Sequence, residues 1–426
     1  MACNTRTTLV ASNNPPQTMT HEQLRRRCAC FTSFHQPMNG RESMKLQRKF
    51  LKTLSLALVC AALSGVASAA NNWNPQHILN TMKDPYIGNT VNVAVISHRG
   101  MIGRGCPENS VCSIINTYRH DVEAIELDIK QAADGQLWLF HDQNAGRVID
   151  HNPNFNIFQP PTNPAGWDPD IRTMTTADLD NSFLRDRFFV RTRYRPATLA
   201  VALNTVYSNA NHMVVVLDLK TLDAVSRAAD IVLNYRMENQ VVLKFSASLL
   251  AKNPDDIKLY TKGVPFAPTI YAPDMDKLAD NYNGLCGGLG TPDTPLCRVE
   301  AWITEARNSN VGFAWLEIGN KQPRRGDPTA EMLADQQSLK RALGAFSPVP
   351  EYRFRNHDGQ HYVRSNGTCC ASLNDYLSTT KYFGNEIADD RPNFRAQAAA
   401  GFTSIITDDP LSVINSDVHR YPSLYD

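Results

Sequence analysis

The stretch from Val93 to Asp142 decides the fold, because three apolar runs in it each end in polar, ionisable residues. The runs are VAVISHRG (93–100), AIELDI (124–129) and LWLFHD (137–142). Further along, VVVL (214–217) is apolar on both faces, as a parallel strand covered by helices must be. Polar groups that follow such strands are typical of an active-site mouth.

The same alternation of apolar runs and amphipathic stretches continues through the chain. Eight strands with intervening helices over about 350 residues predict a (β/α)8 TIM barrel with loop insertions, and a doubly wound open sheet is the alternative. The predicted strands are Val91–Ser97, Ala124–Ile129, Met213–Leu219, Gln240–Phe245, Phe266–Ile270, Gly312–Ile318, Tyr352–Arg355 and Ser404–Thr407; the predicted helices include Ser110–His120, Leu199–Asn209, Ala224–Met237 and Asn393–Ala400.

Two stretches interrupt this alternation and are interpreted as insertions. Asn144–Ala197 is rich in Pro and Asn and then in Arg, and Asn281–Cys297 is rich in Gly and Pro. Long loops of this kind either cap an active site or decorate the surface. Both roles stay open at this point.

The first 69 residues have the features of an export segment. From Met44 a basic start is followed by the apolar run Leu54–Leu63 and by Ala67-Ser68-Ala69, which is the pattern of a cleaved signal peptide. A membrane anchor is the alternative, but the run is too short for about 30 Å of hydrocarbon. We therefore predict a leader or mis-assigned start at 1–43, a signal peptide at 44–69 and a barrel domain at 70–426, exported to the periplasm or the medium.

Removing the leader changes the charge and the cysteine count. Residues 1–69 hold nine Lys+Arg and two Asp+Glu, so 34 basic and 40 acidic residues remain and the net charge is about −6. This excludes a basic face for nucleic acid. Six cysteines remain, an even number that suits disulfides in an exported chain. Short loops favour Cys106–Cys112 and Cys286–Cys297, whereas Cys369 and Cys370 form a strained vicinal bridge or pair elsewhere.

Two carboxylates on one predicted strand indicate a cation site. Glu126 and Asp128 are two residues apart, so their side chains point to the same face, where two negative charges repel unless a cation or a proton separates them. Oxygen ligands favour one Mg²⁺ or Ca²⁺ ion. Asp218 repeats this pattern at the end of VVVL, near Lys220. The alternatives are a solvated strand face and, for Asp218, a structural pair with Lys220.

Two histidines lie on either side of this pair in the sequence. His98 and His141 each follow an apolar run, and such a set suits in-line displacement at a phosphodiester. One imidazole takes a proton from the nucleophile while the other protonates the leaving alkoxide. Arg99 and Lys220 supply positive charge for the phosphate oxygens.

These pieces, taken in order, resemble the signature of the glycerophosphodiester phosphodiesterase family. They are HRG (98–100), PENS (107–110), ELD (126–128), DG (134–135) and HD (141–142), followed by RPATLAVAL (195–203), LDLK (217–220) and TDDP (407–410). The resemblance spans about residues 91–410. It implies a (β/α)8 barrel that hydrolyses glycerophosphodiesters to an alcohol and glycerol 3-phosphate with a divalent cation.

Carried over residue by residue, the resemblance implies a role for each matching position. His98 and His141 are the acid/base pair, Arg99 and Lys220 contact phosphate, and Glu108 either ligates the metal or orients a ligand. The metal ligands are Glu126, Asp128 and Asp218. The implied substrate is a small-molecule or lipid-derived phosphodiester, with transient contact to a membrane surface.

Two departures keep other functions open. Asp218 stands where the family has Glu, and a cysteine pair flanks the loop after His98. Both features are similar to the sphingomyelinase D-type phospholipases, which implies an alternative reaction that forms a cyclic phosphate. A barrel that binds phosphorylated ligands without catalysis is a third interpretation.

Overall fold

The computed structural model describes residues 75–87, 90–91, 93–150, 167–188, 190–209, 212–284, 286, 292–319, 328–347, 361–362, 371–372 and 393–419. All of them lie in one compact unit, Ala70–Asp426. Within these ranges, no helix combines the length and the apolar character that crossing a membrane requires.

Eight parallel strands form a closed barrel. Each strand pairs with the next along the chain, and the last pairs with the first, Ser404 opposite Ala94 and Thr407 opposite Ser97. This closure confirms the (β/α)8 barrel and rules out the open sheet. The barrel strands are β1 (Ala94–Ser97), β2 (Ala124–Gln131), β3 (Val214–Leu219), β4 (Val241–Ser246), β5 (Phe266–Tyr271), β6 (Leu316–Gly319), β7 (Leu343–Ser347) and β8 (Ser404–Thr407).

Helices fill the connections between these strands. Buried apolar side chains of the helices and of the outer strand faces form one continuous core around the barrel. The helices are α1 (Pro75–Lys83), α2 (Val111–Arg119), α3 (Thr176–Asp180), α4 (Leu199–Asn209), α5 (Leu222–Asn234), α6 (Ile257–Thr261), α7 (Ala272–Asn281), α8 (Pro295–Ser309), α9 (Pro328–Ser338), α10 (Phe394–Ala399) and α11 (Pro410–Ile414). Three 3₁₀ turns occupy Ile171–Thr173, Ala247–Leu250 and Pro254–Asp256, and two-residue strand pairs join Tyr86–Ile87 to Thr90–Val91, Ile149–Asp150 to Phe183–Leu184, and His361–Tyr362 to Ala371–Ser372.

The barrel interior is apolar at its amino end and polar at its carboxyl end. Ala94, Ala124 and Val214, at or near the starts of their strands, belong to one buried cluster with Leu79 and Met82 of α1. Helix α1 therefore closes the amino end of the barrel. Full burial of a side chain of this size contributes about 1.5–3 kcal/mol to the stability of the fold. Because the amino end is closed, the carboxyl end is the open mouth of the barrel.

Two predicted elements differ from the structure. The seventh barrel strand is Leu343–Ser347, and not the predicted Tyr352–Arg355, which lies outside the described residues. The segment LGAFS lacks the β-branched residues that mark the other strands, because Gly344 leaves room for the indole of Trp315. In addition, Leu137–Leu139 forms an added antiparallel strand beside β2, so His141 follows a strand that is outside the barrel.

The first insertion carries a small core of its own. Trp138 of the added strand packs with Ile149, Ile171, Leu179 and Leu184, which brings together the described parts of residues 144–197.

Both favoured disulfides are present, Cys106–Cys112 and Cys286–Cys297. Cys369 and Cys370 lie outside the described residues.

Candidate active site

The predicted site residues converge at the carboxyl end of the barrel. His98 follows β1, Glu126 and Asp128 are on β2, and Asp218 is on β3 directly opposite Asp128 in the strand register. The amide of Phe140 donates to the carbonyl of Asp128 at 2.9 Å, which places His141 beside the same carboxylates. The barrel therefore joins four segments that are far apart in the sequence.

The turn after β1 depends on a glycine. Gly100 has a φ of +78°, and a Cβ atom there would lie 2.7 Å from the Cβ of Ser113 in α2. Since L-residues rarely adopt this φ, only glycine allows His98 and α2 to approach so closely. Ser110 caps α2 by accepting from the amide of Ser113, and the hydroxyl of Ser113 accepts from the Ser110 amide in return.

Asp408 orients His98 through the inner ring nitrogen. The Nδ1 atom of His98 is 2.6 Å from Oδ1 of Asp408, and the ring of Phe346 contacts the imidazole edge-on. Burial alone would lower the pKa of His98, but the carboxylates of Asp408 and Glu126 outweigh it and hold the pKa above its ordinary value. Nε2 is thereby left as the ring nitrogen for proton transfer.

Glu126 and Asp128 form a buried carboxylate pair, each with only 1% of its surface exposed. One ligand atom from each, together with one from His98, lies within 4.8 Å of the others. Burial raises the pKa of Glu126, and the neighbouring Asp128 raises it further. Two carboxylates removed from water in this way fit a bound cation, because the cation stabilises both of their ionised forms.

Asp128 is held in place by an asparagine. Asn109 donates from Nδ2 to Oδ2 of Asp128 at 3.0 Å and accepts from its backbone amide at 2.9 Å. Burial acts to raise the pKa of Asp128, but the charges of His141 and Arg99 lower it well below the usual range. The carboxylate is therefore ionised and fixed in direction.

Asp218, the predicted third ligand, is opposite Asp128 but outside the 4.8 Å group. Its Oδ1 accepts from Lys220 at 2.7 Å, and its Oδ2 is 3.3 Å from the ammonium of Lys244. Burial acts to raise the pKa of Asp218, but the charges of Lys220 and Lys244 outweigh burial and lower the pKa below its ordinary value. The structure thus contains the Asp218–Lys220 pair and also places Asp218 next to the carboxylate pair.

Arg99 is turned towards carboxylates and is buried. Its guanidinium is 3.2 Å from Oε1 of Glu108 and 3.3 Å from Oδ2 of Asp128, while its backbone amide donates to Oε2 of Glu126 at 3.2 Å. Lys220, in contrast, is 47% exposed. Of the two predicted phosphate contacts, Lys220 is the one whose side chain is open to solvent.

Glu108 belongs to a chain of ion pairs that ends at His141. Arg147 contacts both oxygens of Glu108, at 2.9 and 2.5 Å, and both oxygens of Asp142, at 2.5 and 3.0 Å. Asp142 in turn is 2.8 Å from Nδ1 of His141. Burial would raise the pKa of Glu108, but Arg147 and Arg99 bring it to about 2. These contacts give Glu108 an orienting position.

Three residues of this site escaped the sequence analysis. Arg147 lies in a stretch interpreted as an insertion, and Asp408 belongs to the TDDP ending, where its own role has no local signal. Lys244 interrupts the apolar strand VVLKFS, and this break is the same signal that identified Asp128. Applied to β4, it would have indicated a buried charge inside the barrel.

The arrangement provides two oriented imidazoles, a buried carboxylate pair and neighbouring cations. Each histidine has its Nδ1 atom engaged by an aspartate, which fixes the orientation of the ring. A group set of this kind suits acid/base chemistry at an anionic centre.

The model of the glycerophosphoryl diester phosphodiesterase family matches residues 98–257, while a comparison with curated proteins gives no match. Among solved structures, a glycerophosphoryl diester phosphodiesterase from Parabacteroides distasonis is 16% identical, with 80% of this chain and 90% of that chain covered and a TM-score of 0.48.

Two further solved structures are similar to this chain. A putative glycerophosphoryl diester phosphodiesterase from Silicibacter pomeroyi is 17% identical, covers 79% of this chain and 95% of its own, and has a TM-score of 0.49. A phosphodiesterase from Oleispira antarctica, solved with the product sn-glycerol-3-phosphate, is 14% identical, with coverages of 76% and 98% and a TM-score of 0.44. The matched family domain runs from the turn at His98 through β2, β3 and β4 to the start of α6. Residues 98–257 therefore match the glycerophosphoryl diester phosphodiesterase family over the part of the barrel that carries both histidines and the carboxylate pair.

Proposed function

We propose that the protein hydrolyses glycerophosphodiesters to glycerol 3-phosphate and an alcohol, using His98 and His141 as the acid/base pair and one divalent cation. The observation that supports this most is the pair of aspartate-held imidazoles beside the buried carboxylates Glu126 and Asp128. The family match over residues 98–257 supports the substrate class.

The two imidazoles divide the proton transfers. The nucleophile's oxygen forms a bond to phosphorus as the bond from phosphorus to the leaving alkoxide breaks. One imidazole takes the nucleophile's proton at Nε2, and the other gives a proton from Nε2 to the alkoxide. Asp408 and Asp142 hold the rings of His98 and His141 at Nδ1, at distances of 2.6 and 2.8 Å, so that Nε2 of each ring is directed to the transfer.

The proposed cation ligands are Glu126, Asp128 and Asp218, which hold Mg²⁺ or Ca²⁺. When bound, the cation neutralises the non-bridging phosphate oxygens. His98 is also within reach of the carboxylate pair, but a histidine that ligates a metal through Nε2 has no lone pair for a proton. Because hard cations prefer oxygen, we assign His98 to proton transfer, and Lys220 to the phosphate.

Product analysis tests this function. Glycerophosphocholine is incubated with the protein in Mg²⁺ or Ca²⁺, and free glycerol 3-phosphate is measured. We expect EDTA to abolish turnover and H98N and H141N to lower kcat about 10²- to 10⁴-fold. H120N is the matched control, because His120 is exposed and its ring contacts the Asn116 carbonyl one helical turn earlier. Turnover that survives chelation would refute the cation.

A second reaction, formation of a cyclic phosphate from an intact phospholipid, is favoured by two observations. The proposed third ligand, Asp218, is an aspartate, and the Cys106–Cys112 disulfide braces the loop between β1 and α2. The ³¹P NMR spectrum of the product separates the reactions. A cyclic diester from lysophospholipid supports the second one, whereas a phosphomonoester supports hydrolysis.

Export is a further proposal, supported by the basic start at Met44, the apolar run and the Ala-Ser-Ala at 67–69. The mature chain is expected to begin at Ala70 and to be found in the periplasm or the medium. Mass spectrometry of the amino-terminal peptide tests this. An intact amino terminus in the cytosolic fraction would contradict it.

We also propose that the described part of the first insertion touches an anionic membrane surface. Phe188 and Val190 are 52% and 44% exposed and lie among the exposed Arg187, Arg191 and Arg193. Asp186 accepts from the amide of Gly105 at 2.7 Å, so this patch is attached to the active-site loop. Basic residues around exposed apolar ones suit anionic headgroups.

Vesicle sedimentation tests the surface. Vesicles with phosphatidylglycerol should bind the protein more strongly than pure phosphatidylcholine vesicles do, and R187E/R193E should remove the difference. R227E is the matched control, because Arg227 pairs with Asp223 within α5. Equal binding of R187E/R193E and the wild type would contradict the proposal.

A further inference from the structure

Lys244 is a buried ammonium group inside the barrel, below the mouth. It is on β4, opposite Asp218 of β3, which is in turn opposite Asp128 of β2. Only 5% of the residue is exposed. A charge in such a place is strongly unfavourable unless opposite charges surround it.

Three carboxylates surround this ammonium. Nζ of Lys244 is 3.3 Å from Oε1 of Glu126, 3.3 Å from Oδ2 of Asp218 and 3.6 Å from Oε2 of Glu317. The phenol of Tyr271 donates to the other oxygen of Glu317 at 2.9 Å. A compact positive charge that contacts three carboxylates from three strands is placed as a metal cation would be.

The position of the ammonium decides whether a second ion has room. Lys244 lies between Glu126, Asp218 and Glu317, and its positive charge offsets part of theirs. A second cation could contact these three carboxylates only in place of the ammonium.

We propose that Lys244 takes the place of a second cation in this carboxylate cluster and thereby limits the site to one divalent ion. The inference rests on the cation centre proposed above. Lys244 is a positioning residue, since its ammonium contacts one carboxylate oxygen each of Glu126 and Asp218 and thereby fixes the orientation of both proposed ligands. Removal of its charge leaves Glu126, Asp218 and Glu317 grouped around an uncompensated space.

Metal stoichiometry tests the inference without any measurement of activity. Chelator-treated full-length protein is titrated with Mn²⁺, and free Mn²⁺ is followed by electron paramagnetic resonance. The wild type should bind one Mn²⁺ per chain and K244M should bind two, while K244R should again bind one. K262M is the matched control, because Lys262 pairs with Asp230 on the surface, and it should bind one.

The double variant K244M/E317Q separates charge from folding. It loses one charge of each sign, so it should fold more readily than K244M and bind one ion. If K244M is unfolded without metal, Mn²⁺ should restore its circular dichroism. Two ions in the wild type, or one ion in a folded K244M, would overturn the role of Lys244. No Mn²⁺ in the wild type would instead overturn the proposed cation centre, and this inference with it.

Discussion

Arg147 offers the sharpest test of the site, because its guanidinium bridges the carboxylates of Glu108 and Asp142. Asp142 in turn contacts His141. In R147M both Glu108 and Asp142 lose their main partner, although they are 8% and 2% exposed. Removal of one partner of a buried ion pair costs about 3–5 kcal/mol. Since Arg147 serves two carboxylates, we expect the free energy of unfolding to fall by an amount near the top of that range.

Catalysis should change as well, because Asp142 holds Nδ1 of His141 at 2.8 Å. Burial acts to raise the pKa of Asp142, and Arg147 brings it below the usual range. Without Arg147 the pKa of Asp142 rises. Asp142 is then protonated, and loses its contact with the His141 ring, at a higher pH than in the wild type. A hydrogen bond to a charged group contributes about 1.5–3 kcal/mol, so kcat should fall roughly 10- to 100-fold. The acidic limb of the pH–rate profile should move to higher pH.

Urea unfolding and the pH dependence of kcat, measured on the same preparations, separate the two effects. R185M is the matched control, because Arg185 is also buried and its guanidinium pairs with a different carboxylate, that of Asp150. R185M should lose stability and keep the pH–rate profile. If R147M also loses stability with kcat and the profile unchanged, Arg147 is structural and the positioning role is refuted. R147K, which keeps the charge without the fork, should be intermediate in kcat.

Three further predictions follow from the same geometry. The pKa of Glu108 is lowered from 4.5 to about 2, which contributes about 3 kcal/mol of stability that is fully present above about pH 4.5 and lost as the pH falls towards 2. The free energy of unfolding of E108Q should lack this pH dependence, and a pH dependence equal to that of the wild type would contradict the assignment. D408N should lower kcat about 10- to 100-fold and lower the pKa of His98, measured by NMR, since Asp408 raises that pKa; an unchanged His98 titration would oppose this. Loss of the Cys106–Cys112 disulfide, which closes a sequence separation of 6 residues, should cost about 2 kcal/mol, measured as the difference in urea midpoint between wild type and C106S/C112S.

The sequence was sufficient for the barrel because parallel strands are apolar on both faces and therefore conspicuous. It failed at β7, where Gly344 and Ala345 replace β-branched residues, since the large side chain that fills that part of the interior, Trp315, comes from the residue before β6. Local composition does not reveal a strand whose neighbour supplies the packing. The same limit applies to the added strand Leu137–Leu139, whose antiparallel pairing with β2 depends on a short turn at Gly135.

Residues with an unusual local setting were predictable, and their partners were not. Glu126 and Asp128 are conspicuous because a carboxylate inside an apolar strand needs a reason. Arg147 has an ordinary setting in sequence, and only the folded chain brings it to Glu108, 39 residues away. Long side chains that bridge two segments carry no local signal, because their role depends on both ends of the contact.

Barrel closure and the acid/base role proposed for His98 depend on the same pairing of β8 with β1. His98 lies directly after the first barrel strand and Asp408 directly after the last, 310 residues apart in sequence. They meet because β8 pairs with β1 in a register that sets Thr407 opposite Ser97, and the His98 amide donates to the Thr407 carbonyl at 2.9 Å. A shift of one residue in that register would turn inward-facing residues of β8 outwards and move Asp408 away from the imidazole. The acid/base role proposed for His98 is therefore available only to a chain whose last strand has closed the barrel in the correct register.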